Sequence, residues 1–180
     1  DSWRTSAPAV SIAPDPSNTN DTLNASASGS IDADNDPITY SFEWFQNGAP
    51  TSYTGSALPN SATLKGETWT ARATPNDGHV DGPYGEASIV IQNSPPIISG
   101  LSIAPNTGIT NATTLTCSAT VTDADIVDTP SETYSWSING NPAGSGSTLT
   151  LDSSLASPGD TVTCTLSVDD QDGGTATDSI

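Results

Sequence analysis

The chain has 180 residues, and its 21 acidic and 3 basic side chains give a net charge of −18. This balance argues against nucleic acid as a partner, since binding it requires a basic surface, and no apolar run approaches the ~20 residues that membrane insertion requires. Leu, Ile, Val and Phe contribute only 30 residues, so a folded core requires that they be placed on one face of each element.

An internal repeat organises the chain into two copies of a unit of about 90 residues. The matching segments keep their order at offsets of 91 to 93 residues: Ile12–Pro14 with Ile103–Pro105, Asp32–Asp34 with Asp123–Asp125, Trp44 with Trp136, Asn47-Gly48 with Asn139-Gly140, and Gly66–Thr70 with Gly159–Thr163. We predict repeat 1 over 7–92, a Pro-rich linker over 93–98 and repeat 2 over 99–180, and we interpret 1–6 as a linker or the end of a preceding repeat. Repeat 2 stops within its expected last strand, so we interpret the chain as part of a longer array.

Apolar residues alternate with Ser and Thr within each unit, as at Leu115, Cys117, Ala119 and Val121. This period of two is typical of strands with one buried and one solvated face. In chain order we predict strands over 10–14, 22–30, 38–46, 53–58, 67–74 and 87–92, then over 101–105, 114–122, 132–139, 147–151, 160–168 and 175–180. A further strand between the third and the fifth one of each repeat is left open. The pattern predicts an all-β fold of two small sandwiches.

The two cysteines lie in repeat 2, on the inward faces of its second and fifth predicted strands. The aligned positions in repeat 1 are Ala25 and Ala71, so both partners change together between the copies. We therefore expect Cys117 and Cys164 to form an inter-sheet disulfide next to Trp136, with two buried free thiols as the alternative. A disulfide would indicate an oxidising compartment.

The run from Asp32 to Trp44, followed by Asn47-Gly48, resembles the extracellular immunoglobulin-like and cadherin-like tandem repeats of bacterial surface proteins. The turn at Gly66–Trp69 and the closing segment Ile91–Pro96 are similar to the same repeat type. The resemblance implies two tandem Greek-key β-sandwich domains at the cell surface or outside the cell. It also implies neighbouring repeats of the same longer chain or assembly as partners, and a structural or adhesive role.

Acidic residues concentrate in the loops that follow the second and fifth predicted strands, which share one pole of an immunoglobulin-type sandwich. Only a hard cation such as Ca²⁺ suits a ligand set of crowded carboxylates, whereas well-solvated Asp-rich turns are the alternative. Asn93 is added because linker Asn residues contribute an oxygen in cadherin-like repeats. We predict calcium where the units meet, with these candidate ligands: Asp32, Asp34, Asp36, Asp77, Asp81, Asn93, Asp123, Asp125, Asp128, Asp169, Asp170 and Asp172.

Three asparagines, Asn20, Asn24 and Asn111, lie in N-x-[ST] sequons and are candidate glycosylation sites, although chance sequons are expected in a chain this rich in Asn, Ser and Thr. His79 is the only histidine, and no partner at a telling spacing accompanies it, so we expect no enzyme.

The remaining choice lies between a stiff structural or adhesive spacer and a module that binds surface glycans or proteins. Trp69, Tyr53 and Tyr84 have no aromatic counterparts in repeat 2. An exposed row of these rings would favour sugar binding, whereas a buried arrangement would favour a repeat-specific core. We expect the spacer.

Overall fold

The computed structural model describes residues 5–180, so the residues 1–4 of the predicted N-terminal segment lie outside the described part of the chain. The all-β prediction is confirmed, because the regular structure consists of strands and a single 3-10 turn in the described residues. The chain divides into two compact units, 1–94 and 95–180. No helix among residues 5–180 is long and apolar enough to span a membrane.

Unit one contains eight strands and the 3-10 turn Asn60–Ala62. The strands are β1 (Ala9–Ala13), β2 (Ser17–Asn18), β3 (Leu23–Ser28), β4 (Thr39–Gln46), β5 (Ala49–Thr54), β6 (Ala57–Leu58), β7 (Thr68–Asn76) and β8 (Gly85–Gln92). They form two sheets, in the orders β1-β3-β6 and β2-β8-β7-β4-β5. All neighbouring strands are antiparallel except β2 and β8, which are parallel.

Unit two contains seven strands. They are β9 (Ile97–Ala104), β10 (Thr114–Thr122), β11 (Ser131–Ile138), β12 (Asn141–Ser145), β13 (Thr148–Thr150), β14 (Val162–Asp169) and β15 (Thr175–Ser179). Their sheet orders are β13-β10-β9 and β12-β11-β14-β15, all antiparallel. β9 begins at Ile97, within the segment that the sequence assigns to the linker.

Each unit buries its core between its two sheets, which is consistent with a β-sandwich. In both units the core surrounds a tryptophan on the first strand of a hairpin, β4 of the β4–β5 hairpin in unit one and β11 of the β11–β12 hairpin in unit two. The indole nitrogen of Trp44 donates to the carbonyl of Gly55 at 3.0 Å, and that of Trp136 donates to Gly146 at 2.8 Å. Each tryptophan therefore anchors the loop that contains its acceptor, Gly55 or Gly146, while its ring fills the interior.

The strands β5 and β12, which the sequence leaves open, follow two-residue turns. Asn47 and Gly48 both have positive φ, at 49° and 82°, and Asn139 and Gly140 repeat this geometry. Two consecutive positive-φ residues are the geometry of a type I′ hairpin turn, whose twist matches that of the flanking strands. The short edge strands that result carry Pro50 and Pro142, and each pairing contains a register shift.

Thr5 and Ser6, which precede β1, pack on unit one. Thr5 is buried, and Gly82 faces it so closely that an added Cβ would overlap Thr5 Oγ1. Ser6 exchanges two hydrogen bonds with Ile31, one through its backbone N–H and one through its side chain. Thr5 and Ser6 therefore contribute to this unit, although the sequence assigns them to a linker or preceding repeat.

Candidate metal centre

The loop between β10 and β11 gathers three carboxylates. Among residues 5–180, Asp123, Asp125 and Asp128 form the one group of three potential ligands that can each offer one oxygen within 4.8 Å of the other two. Asp125 is only 2% exposed, and Asp123 and Asp128 are half-buried. Three mutually repelling charges are thus held together in a partly desolvated loop.

Hydrogen bonds within this loop fix its shape. Asp123 Oδ1 accepts the backbone N–H of Asp125 at 2.8 Å, and the backbone N–H of Asp128 donates to the carbonyl of Asp125 at 2.8 Å. The second carboxylate oxygen of Asp123, Oδ2, is buried and has no hydrogen-bond partner. A buried carboxylate oxygen without a donor is costly, and an oxygen-seeking cation would satisfy it.

The loop between β14 and β15 lies beside this one. Gln171 Nε2 donates to the carbonyl of Thr129 at 2.9 Å, which joins the two loops. Asp170 is 3% exposed, and its Oδ1 accepts the backbone N–H groups of Asp172 and Gly174, both at 2.8 Å. The predicted meeting of the two acidic loops at one pole is therefore observed in unit two, but Asp170 uses one oxygen to close its own loop.

Gln171 is a residue that the sequence reasoning misses. Its backbone adopts a positive φ of 69°, and Asp169 Oδ1 accepts its N–H at 2.7 Å. Asp and Gly are typical turn formers, so the run Asp-Asp-Gln-Asp-Gly at 169–173 predicts a turn here. Gln itself carries no such signal.

The equivalent loop of unit one is closed differently. Asp32 is buried, and its Oδ1 accepts two backbone N–H groups, from Asp34 at 2.9 Å and from Asp36 at 3.1 Å. Across the pole, His79 Nε2 lies 3.8 Å from Asp36 Oδ2, so a basic group faces the acids here. Unit two has no Lys, Arg or His, and its acidic loops receive no such neighbour from their own unit.

The loop between β7 and β8 is organised by Asp77. Its Oδ1 accepts the backbone N–H groups of His79 at 2.7 Å and Val80 at 2.8 Å. These N–H groups, that of Val80 most strongly, hold the pKa of Asp77 below its usual range. Asn76 Nδ2 donates to Asp81 Oδ1 at 2.7 Å. The predicted ligands Asp77 and Asp81 thus serve as hydrogen-bond acceptors that shape their own loop.

The other predicted site residues have the following positions. Asn93 belongs to unit one, and its Oδ1 accepts a hydrogen bond from Lys65 Nζ at 3.1 Å. Asp34, Asp169 and Asp172 are exposed. The three sequon asparagines, Asn20, Asn24 and Asn111, are also exposed.

The disulfide between Cys117 and Cys164 is present. It joins β10 to β14 with a Cα–Cα distance of 6.5 Å, which lies within the ordinary range for such bridges. Trp136 is paired directly with Cys164 in the sheet. In unit one Ala25 and Ala71 occupy the matching positions and are both buried.

The aromatic rings that occur only in repeat 1, those of Trp69, Tyr53 and Tyr84, do not form an exposed row. Trp69 is 1% exposed and belongs to the core, and Tyr53 meets it edge-on at a centroid distance of 6.2 Å. Tyr84 is exposed, but the guanidinium of Arg72 lies 4.0 Å from its ring centre and 4.5 Å from that of Phe45. Arg72 therefore occupies one face of the Tyr84 ring, which a stacked sugar would otherwise use.

Comparison with known proteins adds no family to these observations, because no protein-family model matches the chain and no curated protein matches it.

Proposed function

We propose that this chain is a pair of tandem immunoglobulin-like, cadherin-like Greek-key repeats that act as a structural or adhesive spacer in an extracellular multidomain protein. The observation that carries the proposal is the correspondence of the sheets. The orders β1-β3-β6 and β8-β7-β4-β5 in unit one match β9-β10-β13 and β15-β14-β11-β12 in unit two, strand for strand. A disulfide in the second core is compatible with an oxidising environment.

The surface supports a spacer more than a binding module. Trp69 is in the core, and Arg72 occupies one face of the exposed Tyr84 ring. The net charge of −18 favours solubility and disfavours non-specific association with acidic surfaces. A spacer of this kind keeps its neighbours apart and bears mechanical load through its folded units.

Two measurements on the intact chain separate the spacer from a glycan-binding module. Stretching single molecules is expected to give two separate unfolding events, one for each unit. A glycan array is expected to give no saturable binding. Saturable binding that is lost in the Tyr53→Ala variant would overturn the spacer in favour of the sugar-binding module.

We further propose that the loop between β10 and β11 holds Ca²⁺. The donor set fits a hard cation, since all three side chains are carboxylates and Asp123 Oδ2 is buried without a partner. Asp123, Asp125 and Asp128 would supply the protein ligands. The bound ion would neutralise the repulsion between the three carboxylates and stiffen this loop. Stiffness is the mechanical property that a spacer requires.

Calorimetric titration of the chain with Ca²⁺ tests this second proposal. Dissociation constants of 10⁻⁴–10⁻³ M are typical for extracellular modules. We expect binding in roughly that range, and at least about tenfold weaker binding in the Asp123→Asn variant. The matched control is Asp34→Asn, which changes an exposed carboxylate in the corresponding loop of unit one. The absence of heat at millimolar Ca²⁺, or an equal effect of both substitutions, would contradict it.

A further inference from the structure

The first half of strand β4 forms an open edge of its sheet in unit one. β5 pairs with β4 from Gln46 to Glu43 and no further. The chain then leaves this sheet at Gly55, whose φ is 99°, and continues as β6 in the other sheet. The indole nitrogen of Trp44 donates to the carbonyl of Gly55, which fixes the point of departure. Among residues 5–180, the segment 39–42 therefore has a strand partner on one side alone, which is β7.

The backbone groups at this edge point away from β7. Asn47, directly after β4, donates its backbone N–H to the carbonyl of Thr68 across the β4–β7 pair. Successive residues of a strand direct their backbone groups to opposite sides, so those of Tyr40 and Phe42 face the edge that β5 leaves open. Among the described residues, the Phe42 N–H and both backbone groups of Tyr40 form no hydrogen bond. Three backbone groups are thus free to pair with another strand.

This edge borders a cleft of about 700 Å³ on the surface of unit one. Its charged lining residues are Glu43 and Asp81, which are both exposed, and no basic residue of the described chain lines it. Arg72, the strand partner of Glu43, instead directs Nε and Nη2 to Glu86 Oε1, at 2.8 Å each. The cleft therefore combines unpaired backbone groups with two carboxylates.

The two carboxylates select the kind of strand that this edge accepts. A second copy of the chain, with its net charge of −18, would bring further negative charge to them and be repelled. A segment that carries Arg or Lys would instead be attracted. Phe42 packs against the core, so its neighbour Glu43 lies on the outer face of the sheet. The basic side chains of an added strand therefore belong on the outer face, at every second position.

We propose that this edge binds an extended basic segment of another protein, which adds to the sheet beside residues 39–42 and places Arg or Lys side chains against Glu43 and Asp81. At a rise of roughly 3.3 Å per residue, this part of β4 holds a strand of similar length, and the free groups of Tyr40 and Phe42 supply its ladder hydrogen bonds. In strand addition of this kind, main-chain bonds give affinity and side-chain contacts give specificity. The proposal goes beyond the spacer role and does not depend on it, because it concerns the side of one unit.

The first test uses the unmodified 180-residue chain and the capped synthetic peptide TVRVRVT, whose arginines share one face and whose valines share the other when it is extended. Binding is followed by nuclear magnetic resonance. We expect saturable shifts at Tyr40, Phe42 and Glu43, and slower hydrogen exchange of the Tyr40 and Phe42 amides. Raising the salt concentration should weaken binding, since exposed charges are screened. The peptide TVEVEVT is the matched control and should not bind.

Two substitutions in the chain locate the site. Glu43→Gln should weaken binding of TVRVRVT by about two- to fivefold, which is the effect expected of an exposed ion pair. Asp178→Asn, which removes an exposed carboxylate from unit two, should leave binding unchanged. Equal effects of the two substitutions, or equal binding of the arginine and glutamate peptides, would overturn the assignment of a basic partner.

Hydrogen exchange decides whether the peptide adds as a strand. Saturable shifts without slower exchange of the Tyr40 and Phe42 amides would show that the arginines bind surface charges without backbone pairing, and would overturn strand addition. The absence of saturable shifts at millimolar TVRVRVT would overturn the proposal as a whole.

Discussion

Units one and two build the same strand order around different central contacts. Unit one fills its core with a second indole, that of Trp69, and leaves small Ala25 and Ala71 at the positions where unit two has its cysteines. Unit two replaces the indole by Val162 and joins its sheets through the Cys117–Cys164 disulfide. Buried aromatic area and a covalent link are thus alternative ways of holding two small sheets together.

The difference has a physical basis in what each contact acts on. A buried tryptophan stabilises the folded state through apolar burial and dispersion contacts. A disulfide that closes a loop of 47 residues acts chiefly by restricting the unfolded chain. Unit one should therefore respond most to changes of side-chain volume, and unit two most to changes of redox state.

The largest expected effect is the loss of the disulfide. The double substitution Cys117→Ala and Cys164→Ala gives unit two the alanines that unit one has at the aligned positions. Unit two still lacks the second core indole, Trp69, that accompanies those alanines in unit one. We expect unit two to lose about 2–5 kcal/mol of unfolding free energy, while unit one keeps its own. Scanning calorimetry with and without reductant measures both transitions, and an equal shift of the two would contradict the assignment of the disulfide to unit two alone.

The reciprocal change in unit one is Trp69→Val, which installs the residue that unit two carries. Trp69 is almost completely buried, and its Nε1 donates to Glu67 Oε2 at 2.9 Å. We expect a loss of about 2–4 kcal/mol from unit one, since the change leaves a cavity and removes that hydrogen bond. Urea unfolding of the variant checks this. The exposed Val90→Ser is the control and should cost less than about 0.5 kcal/mol.

A gain of stability is expected when the disulfide is transplanted. Ala25→Cys with Ala71→Cys places thiols at the aligned positions of unit one. Their strand partners there are Ile12 and Trp44. The cysteines of unit two have the equivalent strand partners, Ile103 and Trp136. We expect a bridge worth about 1–3 kcal/mol, less than the native one because engineered bridges seldom fit without strain. Mass spectrometry after alkylation detects it. Two free thiols in the oxidised protein would show that the two cores differ in sheet spacing.

The smallest expected effect concerns acid stability. The pKa of Asp77 is lowered in the folded state by the N–H groups of Val80 and His79. Its ionised form therefore stabilises unit one above the ordinary carboxyl range near ~4, and this contribution is lost as the pH falls through the lowered value. Asp77→Asn should flatten the acid side of the stability profile of unit one. A titration midpoint for Asp77 at or above the ordinary value would contradict this.

Much of the fold follows from local pattern. The alternation in 162–168 predicts β14, and the joint replacement of Cys117 and Cys164 by alanines in repeat 1 predicts that they face each other. The edge strands β5 and β12 are harder to identify, because most of their residues are exposed and no apolar alternation marks them. Their signal is the Asn-Gly turn that precedes each, which is typical of hairpins.

The metal centre is less predictable than the fold. Sequence position places acids in the right loops, but it does not say which carboxylates turn toward each other and which accept their own backbone N–H groups. Asp32 and Asp123 occupy equivalent positions, yet Asp32 Oδ1 accepts two N–H groups and Asp123 Oδ1 accepts one. In addition, Asp123 Oδ2 is buried and has no hydrogen-bond partner. Such a difference arises from loop conformation, which depends on several neighbouring residues at once.

The prolines of the two hairpins have a consequence for aggregation. Pro50 and Pro142 lie in β5 and β12, at the outer edges of their sheets, and a register shift interrupts each pairing nearby. A proline removes a backbone donor, and an irregular pairing twists an edge strand away from a flat template. Two similar sequences on one polypeptide are always at high local concentration, where exchange of strands and growth of mixed sheets are a hazard. These edges discourage such cross-pairing, so that each unit can fold beside its near copy without recruiting it.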